Sequence, residues 1–250
     1  MWVIGDGRIG RGLKVRADAA ELPCELLTRT SGWAEMGAQP GAPVIVATRN
    51  DDLAEVVAKV PVHRRQDLVF IQNGMLRPWL REHTLAQATR GLLYWAVTER
   101  GSAGTPGRAS PFCGPHAQEV AGWLSALGVT SWSVDWARFS YYEVEKLVWI
   151  AAFGPLCERH DTDVGGVVTD HREALEALTA ELNRMCRVSM GVDVPTEHLV
   201  AKLVDYSLTI PTYRGAVKEW RWRNGWFVHE ARRYGIATPT HDRLLAELGR

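Results

Sequence analysis

Short apolar segments alternate with amphipathic ones through the first hundred residues. The apolar segments are rich in Val, Ile and Leu without strict alternation, which is typical of parallel strands covered by helices on both faces. They predict strands at residues 2–5, 24–28, 44–48, 68–72 and 92–97. The segments between them predict helices at residues 9–20, 51–60 and 77–83. This order of elements indicates βαβ units in a parallel sheet.

The pattern changes in the second half of the chain. Residues 101–115 are rich in Gly and Pro and predict a loop or an irregular hairpin, followed by a helix over 116–127. From about residue 139 the pattern is helical: the predicted helices cover 142–156 (ending at Gly154-Pro155), 172–190, a segment opened by Pro195, 213–234, and a last helix with Thr240 as N-cap. The predicted fold class is α/β plus all-α, with a sheet domain at 1–139 and a helical domain at 140–250.

A glycine pattern lies directly after the first strand and before the first helix. It is the G-x-G-x-x-G sequence Gly5, Asp6, Gly7, Arg8, Ile9, Gly10. In this context the first glycine permits a tight turn, the second lets a diphosphate approach the backbone, and the third permits close helix packing. The helix N-terminus then offers free N–H groups to the anion. The pattern predicts dinucleotide binding by residues 1–139; a plain glycine turn is the alternative.

The residue that follows the second strand bears on the choice of cofactor. An acidic residue there would bind the ribose hydroxyls of NAD, but this chain has Arg29 between Thr28 and Thr30. A guanidinium and two hydroxyls suit a 2'-phosphate, so NADP is favoured over NAD. A solvated loop arginine is the alternative. Too few residues separate this strand from Val44 for a further helix and strand, so the third strand of the usual Rossmann order is predicted to be missing.

Composition narrows the classes of function. The 250 residues carry 29 basic and 29 acidic side chains, which gives no general attraction to nucleic acid or to anionic membranes. No signal peptide and no apolar run of bilayer length is visible, so we expect a cytoplasmic protein. The four Cys residues form no C-x-x-C pair, and no metal is expected. Eleven Trp residues indicate either aromatic core layers or a flat apolar pocket.

Several further motifs occur in a recognisable order. They are Gln72-Asn73-Gly74-Met75, Thr105-Pro106-Gly107, Glu145-Lys146-Leu147, Gly154-Pro155-Leu156, Glu219 with Asn224-Gly225, and Thr238-Pro239 with His241-Asp242-Arg243-Leu244-Leu245. With the glycine pattern, these pieces resemble the ketopantoate reductase family, whose two-domain dehydrogenases are similar to 6-phosphogluconate dehydrogenase. The chain would be a shortened and divergent member. The resemblance implies a small-molecule substrate in a cleft between the domains, and it leaves open whether two copies form a homodimer.

The resemblance also implies roles for individual residues. Lys146 would donate a proton to the substrate carbonyl oxygen, and Glu219 would hold the substrate hydroxyl and orient the reacting groups. Ser207 would contact the substrate carboxylate. Asn73 would lie near the nicotinamide and the substrate, and Arg49 falls where the family often has a lysine near the cofactor.

Each role has a plainer alternative. Lys146 could be an exposed helix lysine paired with Glu143, and Glu219 could form an i,i+4 ion pair with Arg223. Ser207 could bond a backbone carbonyl of its own helix, and Asn73-Gly74 could be simply a turn.

The chain departs from the family at two positions. Ile150 and Gly154 stand where the family has asparagines that help to bind substrate. The expected function is NADPH-dependent reduction of a carbonyl, in particular that of a 2-oxo acid. The alternatives are a different acceptor, such as an imine or a bulkier oxo acid, and a non-catalytic dinucleotide-binding regulatory protein. Trp149, Trp220, Trp222 and Trp226 could favour a larger apolar substrate or could only pack the helices.

Overall fold

The structure is a computed structural model that describes residues 1–31, 33, 36 and 41–250. The chain divides into two compact units, Met1–Phe139 (unit 1) and Ser140–Arg250 (unit 2). Unit 1 combines a sheet with helices, and unit 2 is helical. The predicted fold class is confirmed.

Unit 1 is built on a seven-stranded sheet. Its strands are β1 (Trp2–Ile4), β2 (Glu25–Leu27), β3 (Val44–Val46), β4 (Leu68–Phe70), β5 (Thr89–Gly91), β8 (Ser110–Cys113) and β9 (Ser131–Ser133); β6 (Trp95–Ala96) and β7 (Thr105–Pro106) form a separate antiparallel pair. The sheet order is β2-β1-β3-β4-β5-β8-β9, and only the β5–β8 pair is antiparallel. The register places Val3 beside Leu26 on one side and beside Ile45 on the other.

The helices of unit 1 cover this sheet. They are α1 (Arg8–Ala19), α2 (Leu53–Lys59), α3 (Arg77–Glu82) and α4 (Ala117–Ala126). Every residue of β3 and β4 is buried, which explains why these strands are continuous apolar runs. The core joins Val3, Ile45 and Val69 of the sheet with Leu13 of α1 and Val120 of α4.

The order of the strands accounts for the shortened sheet. β2 pairs with one side of β1, and the chain then returns to β3 on the other side of β1. Within the residues described between Leu27 and Val44, no strand extends the sheet beyond β2. A Rossmann sheet without its third strand loses only this edge, so the point beside β1 where the strand order reverses is kept.

The prediction of the fifth strand at residues 92–97 was wrong. The strand is Thr89–Gly91, whereas Trp95 and Ala96 pair with the β7 hairpin. A Cβ atom on Gly91 would lie 2.0 Å from the Phe112 ring, so the strand needs a glycine where its neighbour packs. This strand is buried although its Thr-Arg-Gly sequence is polar, so the hydrophobic pattern does not predict it.

Unit 2 contains six helices in its described residues. They are α5 (Trp136–His160, which begins in unit 1), α6 (Val164–Asp170), α7 (Arg172–Met190), α8 (Thr196–Thr209), α9 (Asn224–Tyr234) and α10 (Pro239–Glu247). The prediction for 172–190 matches α7, and Pro195 directly precedes α8. α6 was not predicted, and α10 begins at Pro239, so Thr240 is not its N-cap; Pro is favoured in a first turn.

The helix predicted over 213–234 was also wrong, because α9 begins only at Asn224. Residues 215–217 pass α5 backbone to backbone: a Cβ atom on Gly215 would lie 3.0 Å from the Phe153 carbonyl oxygen. Glu219 has φ +46°, and a 3-10 turn, Trp220–Trp222, follows it. The backbone of a continuous helix cannot follow this path.

The predicted end of the first helix at Gly154-Pro155 was wrong as well, since α5 continues to His160. Proline has no N–H, so Pro155 leaves the carbonyl of Ala151, four residues earlier, without its helical donor. The Asn224 side chain replaces that donor: its Nδ2 lies 2.8 Å from the Ala151 oxygen. Asn224 itself is buried, so this bond forms away from water.

The same amide reaches the last helix. Asn224 Nδ2 lies 3.1 Å from His241 Nε2. Burial lowers the pKa of His241 to about 4, so the ring is neutral at pH 7 and its Nε2 can accept. Glu181 of α7 then accepts hydrogen bonds from the backbone N–H groups of Thr240 and His241 at 2.8 and 3.0 Å. Four helices therefore meet in one polar network.

We expect Asn224→Ala to lower the free energy of unfolding by about 2 to 4 kcal/mol, because two buried acceptors lose their donor. In a Pro155→Ala background the restored N–H can serve Ala151, so the loss should shrink by about 1 to 2 kcal/mol. Urea unfolding of the four proteins measures this coupling.

Asn183→Ala provides the matched control. Asn183 is also buried, and its Nδ2 donates to the Val194 carbonyl at 2.8 Å. Its loss should be the same whether Pro155 is present or replaced by alanine. If Asn224→Ala costs equally in both backgrounds, Asn224 does not compensate for the proline.

Candidate functional site

The glycine pattern forms a tight turn between β1 and α1. Gly5 has φ +116°, and a Cβ atom there would lie 3.0 Å from the backbone of Ala47 at the end of β3. A Cβ atom on Gly10 would lie 1.8 Å from the Gly5 carbonyl oxygen. Both positions therefore need glycine so that the turn, β3 and α1 can approach one another.

Gly7 differs from its two neighbours. A Cβ atom there meets nothing within 4 Å, so the space in front of the turn is open. Gly7 is the N-cap of α1, no side chain caps the helix, and its first turn contains no acidic residue. Free N–H groups facing open space suit a phosphate group. The residues present therefore fit the diphosphate of a dinucleotide.

Asp6 binds two arginines at this turn. Its carboxylate pairs with Arg11 of α1 and with Arg100 from the loop between β6 and β7. The hydrogen bond from Arg11 holds the pKa of the Asp6 carboxyl below its ordinary value. The sequence pattern gave no sign of Arg100, which lies 94 residues away along the chain.

Arg29 lies in a turn rich in hydroxyl groups after β2. Thr28 Oγ1 is 3.1 Å from Thr30 Oγ1 and 3.0 Å from Ser31 Oγ. The Arg29 side chain is 77% exposed, and its guanidinium lies 3.5 Å from a carboxylate oxygen of Asp52. Such a weak, exposed ion pair leaves the guanidinium available to a phosphate.

The ends of β3 and β4 are tied together by amides. Gln72 Nε2 donates to the Val46 carbonyl at 2.8 Å, and Asn50 Nδ2 donates to the Asn73 carbonyl at 2.9 Å. Asn50 is buried and was not singled out from the sequence. Arg49 is exposed beside it. This geometry fixes the backbone of Asn73, while its role toward a ligand stays a prediction.

Lys146 lies on α5 in an unusual setting for a lysine. It is only 9% exposed, and Glu143 and Glu145 nearby on the helix are buried as well. Lys146 is therefore not the exposed helix lysine of the alternative, while its pairing with Glu143 stays a prediction. A buried ammonium group requires compensating charges or hydrogen bonds, and buried ionisable side chains are frequent at active sites.

Ser207 lies fully buried on α8 and contacts α5. Its hydroxyl donates to the Leu203 carbonyl at 2.8 Å, as the structural alternative expected, and accepts from Trp149 Nε1 at 2.9 Å. Trp149 follows Lys146 by about one helical turn. A substrate carboxylate needs a donor, so a substrate role for Ser207 would require the bond to Leu203 to be exchanged. That role stays a prediction.

Glu219 lies on the segment that crosses α5, and its carboxylate binds Arg223. The ion pair is therefore present, although the helix predicted over 213–234 begins only at Asn224 and contains neither residue. The structure connects α8 with α5 at Trp149 and residues 215–217 with α5 at Gly154. The role of Glu219 toward substrate stays a prediction.

The second half of the chain is similar to a known protein family. Residues 138–250 match the family model described as ketopantoate reductase PanE/ApbA C terminal. The match spans the whole of unit 2. The resemblance inferred from the sequence motifs is confirmed. No curated protein matches the chain at a significant level.

Solved structures resemble the chain over nearly its whole length. A D-mandelate dehydrogenase in complex with NADH is 14% identical, with a TM-score of 0.76 over 99% of this chain and 97% of that one. The PanE/ApbA family ketopantoate reductase from Ralstonia eutropha is 17% identical, with a TM-score of 0.75 over 98% and 96%. The dimeric ketopantoate reductase from Staphylococcus aureus is 13% identical, with a TM-score of 0.73 over 98% and 95%. At these identities the likeness establishes a shared fold.

One departure from the ketopantoate reductase pattern has a structural cause. Gly154 replaces an asparagine because the backbone of residues 215–217 lies against it: a Cβ atom there would be 3.0 Å from the Ala216 carbonyl oxygen. Ile150, the other departure, is half-buried and adds an apolar surface near Lys146 on α5. No packing contact explains why an asparagine is absent from position 150.

Other chemistries find no support in the described part of the chain. No three His, Cys, Asp or Glu side chains there are grouped to hold a metal ion, and no helix there is long and apolar enough to cross a membrane. The four cysteines are free and buried. Burial raises the pKa of the Cys24 thiol to about 11, which makes it a poor nucleophile.

The glycine turn predicts that substitution destabilises the fold at one of its positions and has little effect at another. Gly10→Ala should lower the free energy of unfolding by about 2 kcal/mol or more, because its Cβ collides with backbone. Gly7→Ser should leave it within about 0.5 kcal/mol, because the site is open and serine is a good N-cap. Urea unfolding of both variants measures the difference, and equal losses would contradict the described turn.

Proposed function

We propose that this protein is an NADPH-dependent reductase of a carbonyl group, with a 2-oxo acid as substrate. The observation that carries the proposal is the glycine turn, open in front of Gly7, beside β1 where the strand order of the sheet reverses. Open α/β sheets bind their ligands at such switch points. The proposal assigns dinucleotide binding to unit 1 and proton donation to unit 2.

The turn after β2 supports NADPH over NADH. Arg29 offers an exposed guanidinium, and Thr28 and Thr30 offer hydroxyl groups beside it. A 2'-phosphate can take charge-assisted hydrogen bonds from such groups, whereas a ribose hydroxyl gains little from a cation.

We expect Arg29→Ala to weaken NADPH binding about tenfold and to leave NADH binding unchanged, because only NADPH carries the 2'-phosphate. Titration calorimetry with both dinucleotides measures the two dissociation constants. If the NADPH preference of the variant equals that of the unchanged protein, Arg29 is a solvated loop residue.

The chain's own residues account for the remaining steps of a reduction. When bound, a reduced nicotinamide supplies the hydride that the carbonyl carbon accepts. Lys146 Nζ donates the proton to the carbonyl oxygen as negative charge develops there, which is favoured in a buried setting. Glu219, once exchanged from Arg223, orients the reacting groups and holds the hydroxyl of a substrate that carries one. Asn73 acts near the nicotinamide and the substrate, and Ser207 binds the carboxylate.

Replacing Lys146 should separate chemistry from cofactor binding. We expect Lys146→Ala to lower kcat by about 10² to 10⁴, the usual contribution of a general acid, while the NADPH dissociation constant stays nearly unchanged. Steady-state kinetics and calorimetry measure the two effects. Lys202→Ala on the exposed face of α8 is the control and should change neither. Turnover at the unchanged rate would remove Lys146 from the mechanism.

The rings around Trp149 favour a bulky acceptor over ketopantoate. Trp149 is surrounded by Phe153, Tyr206 and Tyr213, at ring-centroid distances of 5.5, 5.1 and 5.9 Å. Tyr213 is exposed, and Ile150 stands where the family has an amide. Aromatic and apolar groups one turn from Lys146 stabilise an apolar substituent and offer little to a polar one.

A panel of 2-oxo acids tests this preference. We expect kcat/KM for oxo(phenyl)acetate to exceed that for ketopantoate by about tenfold or more. Tyr213→Ala should reduce that ratio, because an aromatic ring is lost. A higher kcat/KM for ketopantoate would contradict the aromatic preference alone. NADPH binding with no turnover of any oxo acid or imine would favour the non-catalytic, regulatory alternative.

A further inference from the structure

Two arginines from separate parts of unit 1 are held at the glycine turn by one carboxylate. Arg11 and Arg100 both bind the Asp6 side chain, and Arg100 Nε also donates to the Asp6 backbone carbonyl at 2.9 Å. All three side chains remain partly exposed. A solute that approaches Gly7 can therefore reach these groups.

The charges at this turn favour an anion. Arg8, Arg11 and Arg100 contribute three guanidinium groups, and Asp6 is the one acidic residue among residues 5–11. Arg8 Nη1 lies 3.5 Å from the Thr98 carbonyl, which belongs to the same loop as Arg100. Guanidinium groups bind phosphate oxygens in pairs, and the first turn of α1 adds its N–H groups.

We propose that the Asp6 carboxylate binds Arg11 and Arg100 in the free protein. When a dinucleotide binds, both guanidinium groups leave Asp6 and bind the diphosphate. This inference rests on the proposed function and names the residues that would hold the phosphates. Asp6 orders the two guanidinium groups, but its charge repels the diphosphate and its ion pairs must break. The carboxylate therefore lowers affinity for every ligand that carries a diphosphate.

The proposal predicts changes of opposite sign. Arg100→Gln should weaken the binding of NADH, NADPH and ADP by a similar factor of roughly ten, since all three carry the diphosphate. Asp6→Asn should tighten all three roughly threefold at low ionic strength, because the amide still accepts from the arginines but carries no charge. Arg172→Gln, in an exposed ion pair on α7, is the control and should change none of them.

Titration calorimetry of each variant at low and high salt tests the proposal, with thermal unfolding to check the fold. If Arg100→Gln does not fold, Arg100→Lys keeps the charge and should lose part of the affinity. Unchanged affinity in the Arg100 variant, or weaker binding in Asp6→Asn, overturns the proposal while the reductase assignment stands. Arginine-dependent binding without turnover supports it and removes the reductase. If the unchanged protein binds none of the three ligands, both fail.

Discussion

The carbonyl oxygen of Ala151 lacks a helical donor because Pro155 stands four residues later, and α5 remains one helix because Asn224 binds that oxygen. An interior proline costs a helix about 3 kcal/mol when nothing compensates. The compensating amide belongs to α9 and also reaches His241 of α10, while Glu181 of α7 binds the start of α10. The N–H that Pro155 lacks is thus replaced by an amide that belongs to a polar network of four helices. Helix α5 carries Lys146, the candidate catalytic residue, and Trp149.

Unit 1 depends on a comparable constraint at its glycine turn. Gly5 lies against the end of β3, and Gly10 lies against Gly5, so a side chain at either position would separate the helix from the sheet. Gly7 needs no glycine for packing, which leaves its open surface as a feature suited to a ligand. Backbone packing and the proposed phosphate site therefore use different glycines of the same short pattern.

Local sequence patterns predicted the elements that depend on their own residues and not on distant contacts. The strands β1 to β4 and the helices α1 and α7 follow from apolar runs, helical periodicity and the glycine pattern. Longer-range contacts decided the cases that were wrong: β5 is a polar segment specified by Phe112, and α5 passes Pro155 because of a residue 73 positions away from Ala151. The contact of Arg100 with Asp6 could not be predicted for the same reason, since only the fold brings the two residues together. The proposed roles of Lys146 and Glu219 came from family resemblance, which periodicity alone could not supply.

Transfer of deuterium tests the central claim most directly. The protein would be mixed with NADPH that carries deuterium at the C4 position of the nicotinamide, in separate experiments with each C4 face labelled, and with the best 2-oxo acid from the panel. The account predicts that one of the two labelled faces delivers deuterium to C2 of the 2-hydroxy acid product, as detected by mass spectrometry. NADPH that binds but transfers no label from either face to any acceptor would contradict it.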